Sequence, residues 1–169
     1  MTYIRRLLFI CCSVLFSGSV YAECFDTPAT LKTQDTAFIG CISQEKNLAL
    51  EIYTSIGGAI YVSFRHIPLT ACNIHQKITN SPSKIINGKA VRFAGLCDEV
   101  PTTKSTYSYD VPVTSAGLSY IKQQLLRNKP LIVTSPNKDN PFKATFDTHK
   151  YRGMILNAFN ANDGIHGGI

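Results

Sequence analysis

Tryptophan is absent from this 169-residue chain, methionine appears twice, and 11 acidic residues face 17 lysines and arginines. Several catalytic signatures are also missing: there is no G-x-S-x-G nucleophile elbow, no H-E-x-x-H, no P-loop and no G-x-G-x-x-G. Their absence removes the commonest hydrolase, metalloprotease and nucleotide-binding assignments. No C-x-x-C pair occurs, so the sequence points to neither a zinc site nor any cofactor. The carboxylates Glu45, Glu51, Asp98, Glu99 and Asp110 show no spacing that singles out a glycosidase pair. The longest apolar run, in residues 7–16, is shorter than the roughly 20 residues a membrane-spanning helix needs.

That short run has a different meaning. Arg5 and Arg6 precede it, and Val20-Tyr21-Ala22 places small residues at −3 and −1 of a cleavage site. Residues 1–22 therefore read as a signal peptide cut after Ala22, and the protein is expected in the periplasm or outside the cell. Ile10 before Cys11 and Glu23 before Cys24 are unsuited to lipid attachment, so no anchor is expected. Cleavage would remove Cys11, Cys12 and two positive charges, leaving four cysteines and lowering the net charge from +6 to +4.

In an oxidising compartment Cys24, Cys41, Cys72 and Cys97 imply two disulfides, with three connectivities open. The sequential pairs Cys24–Cys41 and Cys72–Cys97 are favoured. The first would secure the new N-terminus, and the second would clamp a loop around Asn80-Ser81-Pro82. Loops of this size correspond to about 3 kcal/mol each in the chain-entropy account.

The remaining pattern is β-rich. Leu48, Leu50 and Ile52 alternate with Ala49, Glu51 and Tyr53, and a second alternating strand follows Gly57-Gly58. A two-residue turn there would set apolar rows against polar ones, so a three-residue loop pairing Ile52 with Phe64 is expected, with one glycine at positive φ. Asn87-Gly88 predicts a type I′ hairpin. A strand is expected over 106–112, and a helix over about 115–127 capped by Thr114 or Ser115 and stopped by Asn128 and Pro130. Strands follow at 131–135 and 142–147, and 151–159 fits either strand or helix. The expected fold is one antiparallel β domain over 23–159, a sandwich or open barrel with one helix, followed by a flexible tail over 160–169.

Few residues point to chemistry. If the last strand continues through 147–152, Asp147, His149 and Tyr151 share one face while Lys150 and Arg152 share the other. An Asp beside a His can orient an imidazole for acid–base work, which makes His149 and Asp147 catalytic candidates, with His66 or His75 as the second imidazole. Tyr53 and Tyr61 fall on the polar faces of the first hairpin, and Tyr107 and Tyr109 flank Ser108 in a Ser/Thr-rich stretch; all four suit a contact surface, with Lys143, Lys150 and Arg152 adding positive charge. The leading expectation is a non-enzymatic binding protein of inhibitor, immunity or envelope-accessory type, acting on another protein. An anionic glycan or lipid surface is a second partner class, and nucleic acid is disfavoured because basic and aromatic residues do not interleave. The alternative is a small secreted hydrolase, a nuclease or cell-wall enzyme, using His149 with His66 or His75.

Overall fold

Alternation of side chains dictates the sheet, because each strand must hide one face and wet the other. Leu48, Leu50 and Ile52 are fully buried on the inner face, with Val62 and Phe64 of the next strand beside them. The computed structural model describes residues 23–26, 38–54, 59–74, 79–99, 103–137, 139 and 141–160. The expected signal peptide, His75 and the tail beyond Asn160 lie outside the described residues, as do Gly57 and Gly58.

The strands are β1 (Glu23–Asp26), β2 (Phe38–Ile42), β3 (Leu48–Thr54), β4 (Ile60–His66), β5 (Thr79–Ile86), β6 (Lys89–Glu99), β7 (Thr106–Pro112), β8 (Leu131–Thr134) and β9 (Lys143–Phe146). They form a single nine-stranded antiparallel sheet in the order β1-β2-β3-β4-β7-β6-β5-β8-β9. The sheet curls until it nearly closes. The turn after β2 reaches β9 through Gln44 N–H donating to Thr145 O (2.8 Å) and Thr145 N–H donating to Glu45 Oε2 (2.6 Å). Asn47 Nδ2 adds a bond to Lys143 O at 2.8 Å. The fold is therefore the open barrel of the two expected forms.

Both disulfides are the sequential ones, Cys24–Cys41 and Cys72–Cys97. Cys24 and Cys41 sit opposite each other across β1 and β2, so the first bridge fastens the edge strand. The second joins the segment after β4 to β6. It does not clamp a loop at residues 80–82, because those residues belong to β5.

The first hairpin keeps the expected parity but not the expected register. Ile52 faces Val62 rather than Phe64, and Leu50 faces Phe64. Burial of one face settles which rows oppose each other, but it cannot separate registers that differ by two residues. The second hairpin matches its expectation: Ile86 pairs with Lys89, and Asn87 and Gly88 take φ of 45° and 86°. Asn87 then links three elements. Its side chain accepts from Ile132 N–H at 2.7 Å and donates to Gln124 of the helix at 3.1 Å.

Helix α1 (Ser115–Leu125) is capped by Thr114, whose hydroxyl accepts from Gly117 N–H. A side chain at Gly117 would come within 2.9 Å of Val91, so close packing on β6 explains glycine in the first turn. The helix stops at Leu125 with Leu126 as its cap, before the expected Arg127. Arg127 N–H bonds back to Gln124 O, tightening the last turn. A second helix resolves the ambiguous end of the chain. After β9 the backbone enters a 3₁₀ turn (Thr148–Tyr151) and then α2 (Arg152–Asn160), which packs on β2 and β3. No helix among the described residues is long and apolar enough to cross a membrane.

Candidate functional site

Strands β4 and β7 pair directly and carry different chemistry on their two faces. Their inward residues build a cleft, and their outward residues build an aromatic surface.

The cleft begins with an irregularity in β5. Ser81 faces Phe93 and Lys84 faces Val91, so Pro82-Ser83 adds one residue to the strand. A bulge of this kind reverses the alternation. Without it Lys84 would follow the outward row; with it Lys84 points inward and its side chain is only 4% exposed. Proline, which has no N–H for the ladder, fits at such a site. The ammonium lies 5.5 Å from the ring centre of Phe93 and 5.6 Å from that of Phe142. Its anion is Asp110 of β7, with Nζ to Oδ2 at 2.7 Å.

Asp110 is brought inward by its register, opposite Phe64 on one side and Gly95 on the other. Glycine adds no side chain there, which helps leave a cavity of about 470 Å³ above the ion pair. His66, at the end of β4, approaches Asp110 with Nε2 at 3.6 Å and meets Phe142 edge to face. Burial alone would raise the Asp110 pKa, but His66, Lys84 and Ser81 outweigh it and lower it to about 2. Asp110 is thus a fixed anion at neutral pH and cannot serve there as a general acid. Ser83, Ser108, Ser135, Thr70 and Asn137 supply further polar groups to the walls.

On the outer face the register places Tyr53 opposite Tyr61, Glu51 opposite Ser63 and Arg65 opposite Tyr109. Tyr53 and Tyr61 stack with centres 5.3 Å apart, and Tyr107 lies 5.9 Å from Tyr109. Arg65 ties the second pair to β3: its guanidinium sits 5.6 Å from the Tyr107 ring while Nε donates to Glu51 Oε1 at 2.7 Å. Burial, reinforced by Tyr109 and Glu51, raises the Tyr53 pKa to about 12. Burial and Asp98 also push Tyr107 and Tyr109 upward. Tyr53, Tyr107 and Tyr109 therefore remain neutral hydrogen-bonding aromatics at physiological pH.

The remaining sequence candidates lie apart from both surfaces. Asp147, His149 and Lys150 do meet, but not through alternation along a strand. The 3₁₀ turn folds positions 149 and 150 back together, bringing His149 Nδ1 to 2.5 Å and Lys150 Nζ to 2.8 Å of a carboxylate that is 8% exposed. The histidine approach lacks hydrogen-bond direction, so Nδ1 lies against the carboxylate without a hydrogen bond to it. Arg152 Nε donates to Leu126 O and joins α2 to the end of α1. Lys143 is exposed on β9 and lies near Glu45. His66 lines the cleft and His149 does not. Among the described residues no group of three or more His, Cys, Asp or Glu could hold a metal ion.

Sequence reasoning passed over Lys84 and Ser81 and left Asp110 in an unsorted pool of carboxylates. The usable signal was Pro82 inside an otherwise regular strand, which marks a bulge and hence a change of face. No protein-family model, curated protein or solved structure matches the chain.

Proposed function

We propose that this is an exported, disulfide-braced binding protein that engages another protein in the envelope or outside the cell through its tyrosine face. The carrying observation is convergence: Tyr53, Tyr61, Tyr107 and Tyr109, from three strands, share one outer face with the Arg65–Glu51 pair. Tyrosines held on a rigid sheet offer contact area with few rotatable bonds to immobilise, and hydroxyls that pair at a partially wet interface. The N-terminal charged-apolar-small pattern and the two disulfides support an exported location.

The test places a photo-crosslinking amino acid at position 61 and, as a control, at the exposed Gln123 of α1. Position 61 is expected to yield a discrete adduct in the envelope fraction that disappears in Tyr107→Ala/Tyr109→Ala. No adduct, or the same adduct from position 123, would overturn the assignment.

A further inference from the structure

We propose that the cleft between β4, β5 and β7 is a second binding site, independent of the tyrosine face, and that it takes a neutral saccharide unit. The inference rests on how charge is arranged around the cavity. Lys84 and Asp110 neutralise each other at 2.7 Å beneath it, with side chains 4% and 11% exposed. An anion drawn to Lys84 would have to compete with Asp110, and a cation drawn to Asp110 with Lys84, so a charged ligand finds no free counter-charge in the pair. In a partly desolvated cleft either encounter is unfavourable. A neutral ligand escapes both penalties.

It must still satisfy the walls. Ser81 is turned to Asp110, and Ser135 Oγ and Asn137 Oδ1 accept from backbone N–H groups, while the half-buried hydroxyls of Ser83 and Ser108 and the Asn137 side-chain N–H group face the cleft. Adjacent sugar hydroxyls offer the same mixed character, a donor and an acceptor on each oxygen. Phe142, Pro82 and Pro136 form the apolar part of the lining. Against them the C–H face of a pyranose can lie while its hydroxyls turn to the serines. At about 470 Å³ the cavity falls within the range of roughly 300–1,000 Å³ typical of small-ligand sites. A wholly apolar ligand would cover the hydroxyls of Ser83 and Ser108 without pairing them.

Amide chemical-shift mapping on the purified, oxidised protein tests this. The probes are glucose and N-acetylglucosamine, the tetrasaccharides maltotetraose and chitotetraose, and the charged analogues glucuronate and glucosamine. A neutral sugar is expected to shift the amides of Ser83, Ser108 and Asn137 at millimolar concentration, with the charged analogues weaker by about tenfold or more. Equal affinity for a monosaccharide and its tetrasaccharide identifies free sugars or chain ends as the source; tighter binding of the tetrasaccharide identifies internal units of a polymer. Ser83→Leu, which fills the cleft from a half-buried position, and Asn137→Ala, at its exposed rim, should each weaken binding, whereas Tyr61→Ala should leave it unchanged. The proposal is overturned if charged analogues bind as well as neutral ones, if no probe shifts the cleft amides, or if the shifts map to the tyrosine face.

Discussion

The two faces of β4 and β7 handle an ion pair in opposite ways. Outside, Arg65 and Glu51 meet at the surface, 30% and 13% exposed, with an aromatic ring beside the cation. Inside, Lys84 and Asp110 meet where water scarcely reaches, with two aromatic rings beside the cation. The ingredients are alike and the consequences differ. The outer pair contributes up to about 1 kcal/mol, because its cation, Arg65, is 30% exposed and water can take the place of Glu51 beside it. A buried pair cannot be separated cheaply, because the survivor is left charged in a poor solvent. The outer face is therefore free to specialise for contact, whereas the inner pair is locked into the fold.

The largest expected effect follows from that lock. Asp110→Ala should destabilise the protein by about 3–5 kcal/mol in urea unfolding, while Glu51→Ala should cost less than about 1 kcal/mol. The double variant Lys84→Met/Asp110→Leu removes both charges and should recover most of the loss, since a buried pair replaced by apolar groups is often nearly neutral. Comparable costs for Asp110→Ala and Glu51→Ala would abolish the distinction between the faces.

Acid sharpens the same contrast. The Asp110 pKa is lowered in the folded protein from about 3.8 to about 2, with burial opposed and outweighed by His66, Lys84 and Ser81. Its stabilising contribution is therefore fully present above about pH 4 and is lost as pH falls toward about 2, an effect on the order of 2 kcal/mol. Glu45, which closes the barrel onto Thr145, is also lowered, so it acts in the same direction. Unfolding curves at pH 6 and pH 2.5 should show a smaller acid loss in Lys84→Met/Asp110→Leu than in the parent. An equal loss would assign acid sensitivity to other carboxylates.

Half of the outer face was legible in the sequence because it obeys alternation: Tyr53 and Tyr61 occupy the rows that a period of two assigns to them, whereas Tyr107 and Tyr109 join them through the β4–β7 pairing, which is non-local. The type I′ turn and the helix cap were legible for a similar reason, since Asn87-Gly88 and Thr114 carry local chemistry that few other structures use. The cleft was hidden because its making is non-local. One extra residue at Pro82-Ser83 reverses a face, and the glycine opposite Asp110 belongs to a strand paired across the sheet. The Asp147 cluster shows a related failure. A strand was expected to carry His149 alongside Asp147, and a 3₁₀ turn brings Lys150 there as well. Local sequence could not show that β9 ends at Phe146, which packs against Phe64 in the core.

The smallest effect concerns what governs each face. In the cleft, partners outweigh burial at Asp110. On the outer face burial is the larger influence on Tyr53, with Tyr109 and Glu51 adding to it, and together they carry the phenol to about 12. Tyr61 covers that ring by stacking on it at 5.3 Å, so Tyr61→Ala should lower the Tyr53 pKa more than Glu51→Gln does. Neither change should cost more than about 1 kcal/mol of stability. An NMR titration of the tyrosine ring carbons separates the two variants. A larger shift for Glu51→Gln would mean that charge, not burial, dominates outside as well, and the two faces would then share one electrostatic logic.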